Sequence, residues 1–212
     1  MLRSLFAAVL FFPPLVHAAD DEAAEWAVLN EMFLRRGPKT GEVAPDFQLE
    51  RARGGTVHAA ALWAEKPLLV TTGSYSCPQF RAVTPERQDL VREFSAQINS
   101  VILYTVEAHP SGSRSPYFGN DFFPEENRRE GILLPQPTAY RERLSLARSC
   151  RADFKLLSTV AVDRMDNAVW KAYGAAPNCA YLIDTRGRVV FRQGFLEVAP
   201  LRAAIKKLLG AK

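Results

Sequence analysis

The sequence predicts an α/β protein in which a central mixed sheet is flanked by helices. Short buried strands alternate with amphipathic helices, and two strands near the end of the chain surround a turn at residues 185–187. Such alternation is typical of parallel strands, and a closing hairpin adds antiparallel edges. The composition, with 48% hydrophobic and 24% charged residues among 212, is that of a globular chain with a core.

The first 18 residues predict a secretory signal peptide. A positive charge at Arg3 precedes residues 4–16, which are apolar apart from the first, and Val16-His17-Ala18 supplies the expected cleavage position. This run is short for a membrane span, and two prolines interrupt it. We expect export to the periplasm or the extracellular space, with a membrane tether through an uncleaved segment as the alternative.

Residues 19–42 form a predicted N-terminal helical arm, and residues 43–212 form the predicted domain. The arm contains a helix over residues 21–36 because apolar side chains recur there at helical spacing, and Gly37-Pro38 ends it. We expect the arm to pack on the domain, with a partner-binding helix as the alternative.

Within the domain, compact apolar runs predict strands and amphipathic patterns predict helices. Pro78 fits the first turn of a helix. A segment rich in Ser, Gly, Pro, Asn and charge, residues 111–137, predicts a long surface loop of the functional or mobile kind. The predicted strands cover residues 43–49, 56–58, 68–72, 100–106, 159–162, 181–184 and 189–192, and the predicted helices cover residues 80–96, 138–150, 165–173 and 201–209.

This order places a cysteine between a buried strand and a helix, continues with a strand and a helix, and ends with two strands and a helix. That is the thioredoxin-like arrangement. We therefore predict a thioredoxin-like fold preceded by the N-terminal helical arm.

The charge of the chain argues against two classes of function. The formal net charge of +4 comes from basic and acidic residues that are scattered rather than clustered, so we expect no nucleic-acid partner. Only His58 and His109 follow the predicted cleavage site, which excludes a histidine-rich metal site, and we expect no metal.

The three cysteines of the chain hint at thiol chemistry, because an odd number leaves one without an internal partner. Cys77 lies where a buried strand meets a helix, immediately before Pro78. Backbone N–H groups at a helix start stabilise an anion, so we expect a lowered thiol pKa and a nucleophile, aided by Arg81 if that side chain folds back. A buried inert cysteine is the alternative.

A second thiol in the same short motif is absent, because the residue three positions after Cys77 is Phe80. The resolving thiol is therefore Cys150, Cys179 or an external reductant. Cys179 follows Pro177 by two residues in a loop that approaches the nucleophile in thioredoxin-like folds, and Pro177 is a candidate for a cis peptide bond. Cys150 equally fits a core position.

Glu107 and His109 follow the central strand, where ligand sites gather in open α/β sheets. A carboxylate and an imidazole there can move a proton or fix a tautomer. A loop histidine that binds only its own turn is the alternative.

Four segments carry a family resemblance. They are Gly73-Ser74-Tyr75-Ser76-Cys77-Pro78-Gln79-Phe80, Glu107-Ala108-His109-Pro110-Ser111, Val162-Asp163-Arg164-Met165-Asp166-Asn167 and Ala172-Tyr173-Gly174-Ala175. Their order and spacing resemble the iodothyronine deiodinases, and the cysteine-containing bacterial branch of that family in particular. The resemblance covers about residues 43–195.

The resemblance implies that Cys77 takes iodine, or another soft leaving atom, from an aromatic carbon. It implies that Glu107 and His109 supply a proton to that carbon, and that thiols then reduce the oxidised cysteine. Ser74, Ser76, Pro78, Arg81 and Pro177 are the expected neighbours of the site.

The chain departs from the vertebrate pattern at three places. Tyr75 stands where that pattern has a cysteine, and Pro137 stands where it has a histidine that binds the substrate phenolate. The loop 111–137 is also longer. Thyroid-hormone specificity therefore does not follow from the resemblance.

We expect an exported thiol-dependent oxidoreductase that carries out reductive dehalogenation of an iodinated aromatic. The alternatives are a peroxiredoxin-like thiol peroxidase, a disulfide reductase, or a non-catalytic binding module on the same scaffold. The expected partners are a small aromatic or halogenated substrate and an external thiol reductant, with no bound cofactor, and a homodimer is left open.

Overall fold

The computed structural model of the protein describes residues 27–117 and 119–210. The predicted signal peptide and the first part of the predicted arm lie outside these residues. Within them, a sheet of seven strands has the order β2-β1-β5-β4-β3-β6-β7. The strands are β1 Gln48–Arg51, β2 Thr56–His58, β3 Leu68–Gly73, β4 Asn99–Tyr104, β5 Thr159–Val162, β6 Ala180–Ile183 and β7 Val189–Gln193.

The helices lie on both faces of this sheet. They are α1 over residues 27–35, α2 Ala59–Glu65, α3 Pro78–Glu93, α4 Glu125–Arg129, α5 Tyr140–Asp153, α6 Ala168–Ala172 and α7 Val198–Leu208. Strand β4 pairs in parallel with β3 and β5, and the remaining pairs are antiparallel. The predicted mixed sheet flanked by helices is therefore confirmed.

Alternating side chains of the central strands build two cores. Val101 and Leu103 of β4 face a core that includes Phe33 of α1 and Trp63 of α2. The next residues along the strand, such as Ile102, face the opposite side, where helices α3, α5 and α7 pack. Because both faces are covered, β3 and β4 are buried over most of their length, which explains their continuous apolar sequence.

The described part of the arm is fixed to the domain by Phe33 and Arg192. Phe33 is only 1% exposed. The guanidinium of Arg192 lies 4.1 Å from the centre of its ring and donates hydrogen bonds to the carbonyls of Arg36 and Pro38, both at 3.1 Å. These contacts give hydrogen-bond partners to carbonyls of the segment that directly follows α1.

Two helices were not predicted. Helix α2 is a short alanine-rich segment that buries Trp63, and helix α4 lies inside the predicted loop 111–137. Both are shorter than eight residues, so a repeating apolar pattern has too few turns to be recognised.

The candidate cis peptide bond at Pro177 is wrong, since the described residues contain no cis peptide bond. The chain turns earlier, at Gly174 and Ala175, which both have positive φ. The following segment enters β6 through trans peptide bonds. No helix among the residues described here has the length and apolar character needed to cross a membrane.

Candidate functional site

Cys77 caps the first turn of α3, directly after the end of β3. Its Sγ accepts a hydrogen bond from the backbone N–H of Phe80 at 3.5 Å, and Pro78 occupies the first turn as predicted. Gly73 at the end of β3 makes this close packing feasible, because a Cβ there would lie 2.2 Å from the Phe80 ring. The strand end and the helix start together hold the thiol in a fixed position.

The predicted lowering of the Cys77 pKa is wrong, because the pKa is raised overall. Burial raises the pKa of the Cys77 thiol to about 11, although the N–H groups of Phe80 and Gln79 and the charge of Arg81 act to lower it. The thiol is only 2% exposed. The helix start therefore acts as expected, but desolvation of the thiolate is the larger effect.

Glu107 is fully buried beside the cysteine loop. Its carboxylate accepts hydrogen bonds from the backbone N–H of Ser76 at 2.8 Å and from the hydroxyl of Tyr104. The side chain of Gln136 holds the Glu107 backbone, with one hydrogen bond to its N–H at 2.9 Å and one to its carbonyl at 3.1 Å. Burial raises the pKa of Glu107, although the hydrogen bonds from Tyr104 and Ser76 act to lower it.

His109 lies in the same cluster and is neutral. Its backbone N–H donates to Ser76 Oγ at 3.1 Å, and its ring packs edge-on against Phe122. Burial, with the charge of Arg81, lowers the pKa of His109 to about 4, so the imidazole carries no charge at neutral pH. Its Nδ1 atom is buried and has no hydrogen-bond partner in the described part of the chain.

The predicted neighbours Ser74 and Ser76 join the two functional segments. Ser74 Oγ accepts from the N–H of Ala108 at 3.0 Å, and Ser76 binds both Glu107 and His109. The structure therefore brings these two serines together with the predicted residues Cys77, Glu107 and His109.

The side chain of Arg81 folds back toward the cysteine loop, which is the condition under which it was expected to act on Cys77. Its guanidinium donates to the carbonyl of Tyr75 at 2.9 Å, to Asn127 Oδ1 at 2.7 Å and to Glu130 at 3.1 Å. Asn127 is fully buried and donates in turn to the carbonyl of Ser76 at 2.9 Å. The long segment 111–137 is thus fastened to both the cysteine loop and the first turns of α3.

Sequence reasoning missed Asn127, Tyr104 and Gln136. Tyr104 is the last residue of β4 and carries a polar tip next to Glu107, which was a usable signal. Gln136 and Asn127 gave no local signal, since each acts through a partner far away in the sequence.

The two candidate resolving thiols lie in different cores. Cys179 belongs to the core that contains α1 and α2, where its Sγ accepts a hydrogen bond from Thr72 Oγ1 at 3.3 Å. Cys150 belongs to the core that contains Cys77. Burial raises the pKa of Cys179 to about 11 and the pKa of Cys150 even further. All three thiols are free, so the identity of the resolving thiol stays a prediction.

Pro177 is buried in the loop before Cys179, and its place next to the site stays a prediction. The preceding carbonyl, of Ala176, accepts hydrogen bonds from Thr72 Oγ1 at 3.0 Å and from the indole of Trp170 at 3.1 Å. Among the residues that the structure describes, no group of three or more His, Cys, Asp or Glu side chains is placed to hold a metal.

The sequence pattern of the family described as iodothyronine deiodinase matches residues 22–199. Human type II iodothyronine deiodinase is 34% identical over 163 residues, which are 74% of this chain and 54% of that protein. Rat thyroxine 5-deiodinase is 28% identical over 195 residues, which are 86% of this chain and 58% of that protein. The chain thus spans about half the length of these relatives.

Solved structures confirm the predicted thioredoxin-like fold. A thiol:disulfide interchange protein DsbE from Chlorobium tepidum has a TM-score of 0.57 at 17% identity, covering 82% of this chain and all of that one. The thioredoxin domain of a thiol-disulfide oxidoreductase from Bacteroides vulgatus has a TM-score of 0.55 at 16% identity, covering 81% of this chain and 98% of that one.

Replacing Asn127 by alanine should unfasten the segment 111–137 and expose Cys77. Reduced burial lets the thiol pKa fall from about 11 toward its ordinary value, so more thiolate is present at pH 8. We expect alkylation of Cys77 by iodoacetamide to accelerate about 10-fold or more. The measurement is mass spectrometry of the Cys77 peptide against time.

Asn99→Ala is the matched control. Asn99 also donates a side-chain amide hydrogen bond to a backbone carbonyl, that of Leu62 at 2.8 Å, but it lies at the opposite end of β4. Its replacement should leave the alkylation rate unchanged. Equal rates in both variants would show that Asn127 does not control access to Cys77.

Proposed function

The chain belongs to the iodothyronine deiodinase family, which supports a thiol-dependent oxidoreductase, and we propose that it reductively dehalogenates an iodinated phenol. The observation that carries this proposal is the junction of Cys77 with Glu107, which places a thiol next to a buried carboxyl group whose pKa is raised by burial. Reductive dehalogenation needs both of these groups, because carbon must gain a proton when it loses iodine.

In the proposed reaction, the sulfur of Cys77 attacks iodine rather than carbon. A sulfur–iodine bond forms, the carbon–iodine bond breaks, and its electron pair stays on carbon, which takes up a proton. The cysteine thiol loses one proton and the carbon gains one, so the raised pKa of Cys77 does not block the step if the two transfers are coupled. An external thiol then attacks the sulfenyl iodide, releasing iodide and forming a mixed disulfide, and a second thiol restores the cysteine.

Glu107 is the proposed proton donor to carbon. Burial and its hydrogen bonds hold it close to the cysteine loop, and the proton lost by Cys77 can return to it after the step. His109 is neutral, so we assign it a hydrogen-bonding and positioning role, not that of a cation. Ser76 connects Glu107 with His109, because its backbone N–H donates to the Glu107 carboxylate and its Oγ accepts from the backbone N–H of His109.

The proposed substrate class is a small iodinated phenol. Where the vertebrate pattern has a histidine after a Pro-Gln pair, this chain has Pro137, and the preceding Gln136 is occupied with the Glu107 backbone. Any recognition of the phenol oxygen must therefore come from other residues. This difference supports a substrate other than thyroid hormone.

We propose that residues 1–18 direct export of the chain and are then removed. In a bacterial host that expresses the whole chain, the protein in the exported fraction should begin at Ala19. Intact-mass spectrometry of that fraction measures this directly. A full-length mass in the membrane fraction would instead indicate a tether, and a full-length mass in the cytosol would contradict export.

Cys77→Ser should abolish iodide release. With an external thiol present, the wild-type chain incubated with an iodophenol should release iodide, and Cys77→Ser should lower the rate at least about 10³-fold. The readouts are iodide by ion chromatography and the deiodinated phenol by mass spectrometry. Peroxide consumption without iodide release would contradict the proposal and favour a thiol peroxidase.

Cys150→Ser and Cys179→Ser are the matched variants. A resolving thiol acts after the sulfur–iodine bond has formed, so both variants should still form one deiodinated phenol per chain. The variant that lacks the resolving thiol should lose the internal disulfide that forms after turnover. If both keep the same recycling by a small thiol, resolution is by the external reductant alone.

A further inference from the structure

The segment 111–137 contains Tyr117, whose side-chain hydroxyl lies inside the protein. Tyr117 Oη is buried and has no hydrogen-bond partner among residues 27–117 and 119–210. A buried tyrosine hydroxyl normally has a partner, because desolvating it without one is costly. An unpartnered hydroxyl in a candidate active site therefore indicates a place where a ligand atom binds.

The ring of Tyr117 is held in a defined position. It packs against the core that contains Cys77, and it meets the Trp170 ring edge-on with centroids 5.7 Å apart. Its backbone N–H donates to Ser115 Oγ at 3.3 Å, and Ser115 is itself buried and bonded to the Asn120 carbonyl. Packing against the Cys77 core and against Trp170 thus sets the position of the Tyr117 ring.

The surroundings of the hydroxyl connect it with the reaction centre. Burial raises the pKa of Tyr117 well above its usual range, and any ionisation of the nearby Cys77, Cys179 or Glu107 acts in the same direction. These groups are close enough to influence its ionisation. Tyr117 therefore stays protonated at neutral pH and can act as a hydrogen-bond donor.

We propose that Tyr117 is a substrate-binding residue whose hydroxyl donates a hydrogen bond to the phenolate oxygen of an iodinated phenol at Cys77. The assignment rests on the proposed function. A phenolate oxygen is an acceptor that matches this unpaired hydroxyl donor, and a bond to a charged acceptor is stronger than one to a neutral acceptor. The bond also fixes the ring so that its iodine faces the sulfur.

The test measures binding in a chain that cannot react. Cys77→Ser is titrated with 2,6-diiodophenol by isothermal calorimetry, alone and combined with Tyr117→Phe. The phenylalanine keeps the ring and removes only the hydroxyl, so the fold should be unaffected. We expect Tyr117→Phe to weaken binding about 10- to 100-fold, the value of one hydrogen bond to a charged acceptor.

Two controls separate this bond from general packing. The methyl ether 2,6-diiodoanisole carries no phenolate, so Tyr117→Phe should change its affinity little. Tyr140→Phe makes the same chemical change on α5, where the hydroxyl interacts with Glu50, and should leave diiodophenol binding unchanged. An equal loss for the phenol and the ether would assign Tyr117 a packing role and overturn the proposal.

Iodide release by the chain that keeps Cys77 tests the Tyr117 proposal and the proposed function separately. If the chain with Cys77 releases iodide from diiodophenol at the same kcat/KM with and without Tyr117→Phe, the Tyr117 proposal is overturned and the proposed function stands. If Tyr117→Phe weakens binding but no variant releases iodide, the proposed function fails and the binding site stands. If the phenol does not bind at all, both are overturned.

Discussion

The site depends on hydrogen bonds that join the chain after β3 to the chain after β4. These two strands are parallel neighbours, so their ends lie side by side at the same edge of the sheet. The first segment contributes Ser74 and Ser76, and the second contributes Glu107, Ala108 and His109. Because the bonds run through backbone N–H groups and short hydroxyls, the spacing between thiol, carboxyl and imidazole is fixed by the sheet itself.

Burial then determines the protonation of the three groups. Burial raises the pKa of the thiol and of the carboxyl and lowers the pKa of the imidazole, because each charged form would lose its hydration. In the proposed reaction, proton transfer to carbon takes place within this buried cluster.

The sequence predicted most of the sheet and the centre of the site. The strands around Cys77 are continuous apolar runs, and Glu107 and His109 directly follow one of them. It could not predict the net pKa of Cys77, because the helix start is a local feature, whereas burial depends on packing against residues far away in the sequence, such as Ala147 and Cys150 of α5. Tyr117 was missed for the same reason, since neither the direction of its hydroxyl nor its lack of a partner is encoded locally.

The most direct test of this account is the pH dependence of Cys77 alkylation in the unmodified protein. Short pulses of iodoacetamide between pH 6 and pH 11.5, followed by mass spectrometry of the Cys77 peptide, give the apparent pKa of this one thiol. The account predicts a rate that still rises above pH 9.5, toward a midpoint near the value of about 11. A plateau reached at or below pH 8.5 would contradict the claim that burial outweighs the helix start.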